Sequence, residues 1–203
     1  MKKLSPGFYN RDNVIQIARE LLGKVVVTVI DGKRTSGRIV ETEAYVAITD
    51  KASHSFGGKR TARNEHMYAA AGTVYVYICY GLHQLLNVVT NKKEIPDAVL
   101  IRAIEPLEGI ETMLKRTGKP VADYTLTRGP GNVGKALGIS TRYSGWHFTG
   151  DVLFIYEDEN SRVTDEMVGA SKRIGVESAG ADSLLPYRFY IKGNKYVSGR
   201  PVR

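Results

Sequence analysis

Two strand-like runs joined by a long aperiodic stretch constrain this chain more than any other feature in it. The first, RIVETEAY, covers residues 38–45, and the second, TVYVYICYG, covers 73–81. Strand side chains alternate between faces, so Glu41, Glu43 and Tyr45 are expected on one face and Val40, Thr42 and Ala44 on the other. In the second run Val74, Val76 and Ile78 point one way and Tyr75, Tyr77 and Cys79 the other. Tyr80-Gly81-Leu82-His83 interrupts that pattern before residues 85–89 resume it, which predicts a hairpin with Tyr80 at its tip. Residues 46–72 contain Gly57-Gly58, several basic residues and no periodicity. A stretch of that length without a pattern of its own reads as a functional loop.

The flanking sequence predicts more strands and a few short helices. Asp12 or Asn13 caps a helix to about Leu22, because Val14, Ile17, Ala18, Leu21 and Leu22 recur at helical spacing and Gly23 ends it. Residues 24–30 are a β-branched run that turns at Asp31-Gly32, with a returning strand over 34–45. A further strand is expected over 98–104, and Pro106 is expected to start a helix through about Arg116. Residues 130–137 read as a short helix and 151–156 as a strand. A last hairpin is expected from 187–191, a Gly193-Asn194 turn and 195–197. Hairpins mixed with dispersed helices, without a repeat or a boundary, predict the α+β class. The expectation is a single mixed domain over residues 1–203, with a largely antiparallel curved sheet, surrounding helices and a protruding hairpin.

Charge narrows the partners. Lys and Arg number 29 against 21 Asp and Glu, a net +8 with a pI near 9.5. Such an excess favours an anionic partner such as nucleic acid, although it carries no information about fold. Cys79 is the only cysteine, which excludes a disulfide framework and a cysteine zinc site. The four histidines are scattered and no HExxH occurs, so neither a metal nor another cofactor is expected. Two lysines near the N-terminus are not followed by an apolar run, so no secretory signal is read there, and no apolar stretch has the length of a membrane span. The expected setting is cytoplasmic and nucleoid-facing, with no membrane partner.

Residues 129–134 read G-P-G-N-V-G, and with Lys135 they nearly complete a phosphate-binding loop. Both glycine fingerprints need a preceding strand and a long following helix. Here the TLTR before them is weak as a strand, Ala136 stands where a magnesium-binding hydroxyl is needed, and Gly138 ends the helix after about two turns. A Gly-Pro helix start is the preferred reading. Glu41 and Glu43 beside Tyr45 suit an acid/base pair for hydrolysis, or equally a solvated polar face. Tyr75, Tyr77 and Tyr80 amid basic residues suit stacking on nucleobases, and Lys59, Arg60 and Arg63 suit a phosphate backbone. Each also has a plain reading, as half-buried sheet for Tyr75 and as solvated loop for the cations.

The blocks RIVETEAY, HSFGG, RTARN and GTVYVYICYG, then Asn87, LIRAIEPLEG, RIGV and LPYRFYIKGN, occur in that order along most of the chain. Together they resemble the alkyladenine (3-methyladenine, or methylpurine) DNA glycosylase family. The resemblance implies a base-flipping, monofunctional enzyme of base-excision repair that needs no metal and acts, as a monomer, on double-stranded DNA containing damaged purines. It implies Glu43 as the general base for water and Arg102 as the partner that fixes it, with Ile174 offering a backbone carbonyl to that water. Tyr45 would stack on one face of the flipped base, and His54 and Tyr77 on the other. Asn87 would exclude guanine, and Tyr80, flanked by Leu82 and His83, would enter the minor groove. Glu41 takes a structural role, and Lys59, Arg60 and Arg63 are implied phosphate contacts. The competing readings are a non-catalytic module for distorted DNA, for which a pocket carboxylate has no use, and a nuclease or sugar hydrolase using Glu41 with Glu43.

Overall fold

The computed structural model describes residues 2–159 and 161–199. Its strands are β1 (Lys2–Lys3), β2 (Val25–Ile30), β3 (Lys33–Tyr45), β4 (Val74–Cys79), β5 (His83–Thr90), β6 (Asp97–Glu108), β7 (Leu153–Glu157), β8 (Val168–Ser171) and β9 (Arg188–Ile191). Its α-helices are α1 (Pro6–Tyr9), α2 (Val14–Glu20), α3 (Ile110–Thr117) and α4 (Pro130–Leu137). The strands join in one antiparallel sheet in the order β1-β7-β2-β3-β6-β5-β4, with β9 added to β3 and β8 to β9. The α+β class and the protruding hairpin expected from the pattern are both present. Among the described residues no helix is long and apolar enough to cross a membrane.

β3 is the strand the others depend on. Asp31 and Gly32 both have positive φ, 53° and 68°, so a tight turn returns the chain from β2 directly into it. Its first half pairs with β2 and β6. At Glu41–Glu43 the second neighbour becomes β9, whose Tyr190, Phe189 and Arg188 lie opposite Glu41, Thr42 and Glu43. Ile39 and Ala44 join the main core, where Val14, Ile17 and Ala18 of α2, Leu21 at its end, and Val133, Ala136 and Leu137 of α4 pack. Of the two cap candidates, Asp12 and Asn13, Asn13 caps α2 through its side chain.

Alternation along β3 fails at one point, and the failure shapes the site. Register shifts leave Val40 unpaired on β3 and Arg102 unpaired on β6, as Ile39 pairs with Ile104, Glu41 with Ala103 and Thr42 with Ile101. Two bulges therefore face each other. Val40 does not share the face of Thr42 and Ala44 as expected; it packs with Ala103, Tyr190 and Val197 in a separate cluster. Bulges re-aim side chains beside functional sites, and this pair brings Arg102 towards both glutamates.

Two other expectations are corrected. Pro106 does not start a helix: β6 continues to Glu108, with Pro106 opposite Gly37 next to a further register shift, an irregularity that tolerates a residue lacking N–H. The helix starts at Ile110 after Gly109, whose φ is 73°. The C-terminal hairpin does not form, because β9 is already paired on both edges by β3 and β8, and residues 195–197 find no edge to join. β8 was not anticipated at all. Within residues 46–72 the loop contains short 3-10 turns at Phe56–Gly58 and Glu65–Tyr68.

The glycine-rich segment 129–134 has a packing role. A 3-10 turn, Tyr124–Leu126, precedes it rather than a strand, and α4 lies against β5. A Cβ at Gly134 would sit 2.0 Å from the Gln84 carbonyl oxygen, and one at Gly131 would sit 2.6 Å from the His83 ring. Both glycines let the helix approach the hairpin strand. Gly134→Ala is expected to destabilise the fold by about 1–3 kcal/mol through this overpacking, read by chemical denaturation; unchanged stability would mean that α4 does not lie so close.

Candidate active site

On the sheet face opposite the main core, Tyr75, Val89 and Ala98 cluster with Met67 and Tyr68 of the loop, and Tyr77 packs against them. Above this lies a cleft of about 620 Å³ whose wall includes Tyr45, His54, Tyr77, Tyr80, Asn87 and Arg102. That size suits a single base-sized ligand group with room for water. The resemblance grouped these six residues, and the fold brings them to one cavity although the sequence spreads them over 58 positions between Tyr45 and Arg102 (102 − 45 + 1).

Glu41 and Glu43 are both fully buried, which removes the solvated-face reading. Their surroundings differ. Glu41 accepts four hydrogen bonds: from Arg102 Nε (2.9 Å), Arg188 Nε (2.7 Å), Ser198 Oγ (2.8 Å) and Ser198 N–H (2.7 Å). Glu43 accepts from Ile174 N–H at Oε1 (2.8 Å) and from the Tyr45 hydroxyl at Oε2 (2.8 Å), and Arg102 Nη1 lies 3.3 Å from Oε1. Arg102 thus bridges the two carboxylates. Burial pushes the Glu43 carboxyl above the usual carboxylate range, against the pull of Arg102, Ile174 N–H and Tyr45. Desolvation outweighs the arginine here. A base whose affinity for a proton is raised in this way is better matched to work near neutral pH.

Glu43 itself has no exposed surface; Tyr45, Arg102 and Ile174, which touch it, form the cleft wall in front of it. Ile174 meets Glu43 through its N–H. Behind Tyr45 stands Arg173, buried, with its guanidinium 4.8 Å from the Tyr45 ring centroid. Arg173 forms a two-armed pair with Asp50 and donates to the Ala44 carbonyl (2.9 Å) and the Asp182 carbonyl (3.1 Å).

His54 Nδ1 lies 2.8 Å from the Tyr75 hydroxyl, and its ring meets Tyr77 edge-on at 4.5 Å. Burial, with Arg63 and Lys59 nearby, lowers its pKa to about 4, so the ring is neutral at physiological pH. Asn87 is buried opposite Tyr75, and its amide nitrogen serves the Tyr75 and Leu85 carbonyls. Tyr80 is 88% exposed and has φ of 51°, a left-handed conformation unusual for a bulky residue. Gly81 follows with φ of 69°, and Leu82, 75% exposed, closes the turn by donating to the Cys79 carbonyl (3.1 Å). His83 is exposed beside α4.

The loop cations differ in availability. Lys59 and Arg63 are exposed, and Arg63 lines the cleft with its guanidinium 5.5 Å from the Tyr77 ring. Arg60 is engaged with Glu65 (2.6 Å) and Glu94 (2.5 Å) and lies over Tyr68, so a phosphate would have to displace those partners. Arg173, Arg188, Ser198 and Asp50 were not singled out from sequence. Arg188 had a visible signal, a lone charge inside the apolar run YRFYI; Ser198 had none. Among the described residues no group of three or more His, Cys, Asp or Glu side chains is arranged to hold a metal ion.

The fold buries a glutamate behind an aromatic cleft, beside an exposed tyrosine-tipped hairpin, and comparison with known proteins says which family of enzymes it belongs to. The family model for methylpurine-DNA glycosylase matches residues 7–195. A protein of Desulfitobacterium hafniense (strain Y51) is 45% identical over 205 residues, covering 98% of this chain and 99% of its own length. One from Clostridium acetobutylicum is 47% identical over 203 residues (97% of each), and one from Bacillus cereus (strain G9842) is 41% identical over 201 (95% and 97%). All three carry the name "Putative 3-methyladenine DNA glycosylase". The chain belongs to the methylpurine-DNA glycosylase family and is a monofunctional DNA glycosylase.

The lowered His54 pKa has a consequence for stability. Below pH 6.5 the unfolded chain binds a proton at this ring that the folded one refuses until about pH 4, so stability present above pH 6.5 is lost as pH falls through that window. The full effect is at most about 3 kcal/mol. Urea unfolding at pH 7 and pH 4.5 should show a larger loss in the wild type than in His54→Gln, and equal losses would contradict a neutral, buried His54.

Proposed function

We propose that this protein removes damaged purines of the 3-methyladenine, 7-methylguanine, hypoxanthine and ethenoadenine class from double-stranded DNA by flipping the nucleotide into the cleft and hydrolysing its N-glycosidic bond. The observation that carries this reading is Glu43, a buried carboxylate with a raised pKa directly behind a cleft walled by Tyr45, His54 and Tyr77. In the reaction the water oxygen bonds to C1′ and the C1′–N bond breaks with its electron pair leaving on the base. The water proton passes to Glu43, and the product is an abasic site. Arg102 fixes Glu43 and holds the water. It also counters the negative charge of both glutamates.

Tyr45 stacks on one face of the base and His54 with Tyr77 on the other. Stacking is worth roughly 1–3 kcal/mol per base, and π-faces attract a cationic alkylated purine by roughly 0.5–2 kcal/mol. A neutral His54 supports that preference, since a charged ring would repel such a base. Asn87, its amide held by two backbone carbonyls, opposes the exocyclic amino group of guanine. Tyr80 fills the gap left in the duplex, with Leu82 and His83 beside it, and its exposure and backbone strain support an inserting role. Lys59 and Arg63 meet phosphates, and the +8 charge favours this partner. One hairpin probing one base needs only a monomer, acting in the cytoplasm at the nucleoid.

A hydrolase using both carboxylates is disfavoured, because the Glu41 oxygens already accept four hydrogen bonds. The two glutamates should therefore separate under mutation. Glu43→Gln is expected to reduce single-turnover release of base from a lesion duplex by at least about 100-fold, the size of a general-base contribution, with little change in Tm. Glu41→Gln is expected to cost stability, on the order of 3 kcal/mol for a broken buried network. Wild-type release by Glu43→Gln would remove the mechanism. Tyr80→Ala should weaken binding to lesion duplex while leaving the fold intact, and unweakened binding would remove the inserting role.

A further inference from the structure

Glu43 and Tyr45 occupy positions i and i+2 on β3, where β6 pairs with both through Leu100 and Ala98. Their side chains meet: the Tyr45 hydroxyl donates to Glu43 Oε2 at 2.8 Å. The other oxygen, Oε1, receives Ile174 N–H at 2.8 Å and faces Arg102 Nη1 at 3.3 Å. A carboxylate has about four lone-pair sites. Two donors crowd Oε1, whereas Oε2 has one, so Oε2 is the oxygen with capacity left for a water. The group beside that capacity is the hydroxyl of Tyr45, whose ring also lines the cleft.

The Tyr45 side chain is held from behind. Arg173 lies 4.8 Å from its ring and is itself locked by Asp50 and the Ala44 and Asp182 carbonyls. The residue after Arg173 is Ile174, which supplies the N–H on Oε1. One two-residue segment therefore supports both the tyrosine and the carboxylate it bonds.

We propose that Tyr45 couples capture of the base to activation of the water: its ring receives the extruded base, while its hydroxyl orients the Glu43 Oε2 that accepts the water proton. A base seated on the ring is then held beside a carboxylate oxygen that the same side chain already aligns for proton transfer. A base that fails to settle on Tyr45 does not bring its C1′ to that oxygen. This inference rests on the proposed role of Glu43, and it extends that role by giving Tyr45 a second task that its ring does not perform.

Tyr45→Phe keeps the ring and removes the hydroxyl. Binding to a duplex carrying hypoxanthine and single-turnover release under saturating enzyme are measured separately across pH, with Tyr45→Leu and Glu43→Gln alongside. Affinity of Tyr45→Phe should stay close to the wild type, because stacking is retained. Release should slow by about tenfold, the factor for losing one hydrogen bond to a charged group. The acid limb of its pH profile should move to higher pH, because the carboxylate has lost a donor that favours its charged form. Tyr45→Leu should lose affinity as well as rate. Unchanged release with an unmoved limb would overturn the coupling, and so would faster release, which would make the hydroxyl an obstruction to water. If Glu43→Gln is inactive while Tyr45→Phe behaves as the wild type, the proposed reaction stands and the coupling alone fails.

Discussion

The placement of Arg102 between Glu41 and Glu43 is the interaction on which the rest of this structure depends. Two carboxylates without water around them are tolerable only if cations and donors compensate them. Arg102 and Arg188 balance the two negative charges, and Ser198 adds hydrogen bonds from its N–H and its hydroxyl. The compensation is unequal. Glu41 takes most of the donors and becomes part of the frame, whereas Glu43 is left with fewer and its carboxyl is pushed up by burial. Opposed bulges at Val40 and Arg102 are the backbone cost of the arrangement, since a regular ladder would turn alternate residues to the core.

The same sheet face supports the other half of the site. β4 and β5 extend from the cleft to the turn at Tyr80, so Tyr77, which loop residue His54 meets edge-on, lies on the strand pair whose tip carries the exposed tyrosine. α4 braces that hairpin at the distance its glycines allow. A left-handed tyrosine at the tip costs on the order of 1 kcal/mol or more, and a strand pair this well supported can hold it in place.

Much of this was legible in the sequence because it rests on local pattern. The alternation in TVYVYIC and the break at Tyr80-Gly81 located the hairpin, and Asp31-Gly32 located the turn into β3. Asp12-Asn13 located a helix start, with Asn13 the cap. The candidate site residues came as a group from ordered blocks of resemblance, and the fold brings eight of them, Arg63 and Ile174 included, to one cleft. What stayed hidden depends on pairing between distant strands. Pro106 looks like a helix start until Gly37 is known to lie opposite it across a register shift, and residues 195–197 look like a strand until both edges of β9 are seen to be occupied. Val40 changed face because of a bulge that alternation cannot reveal. Arg188 and Ser198 lie 147 and 157 positions from Glu41, and no local pattern joins them.

In the proposed mechanism Glu43 is the ionising group that activates water, with its carboxyl held above the ordinary range by burial in spite of Arg102. The direct measurement is a carbon-13 NMR titration of the Glu43 carboxyl, assigned by loss of its signal in Glu43→Gln, together with single-turnover base release over the same pH range. The account predicts a Glu43 midpoint above the ordinary glutamate value of about 4.3, and release that rises with pH through that same midpoint. A Glu43 carboxyl that titrates at or below the ordinary value, or release indifferent to its ionisation, would contradict it.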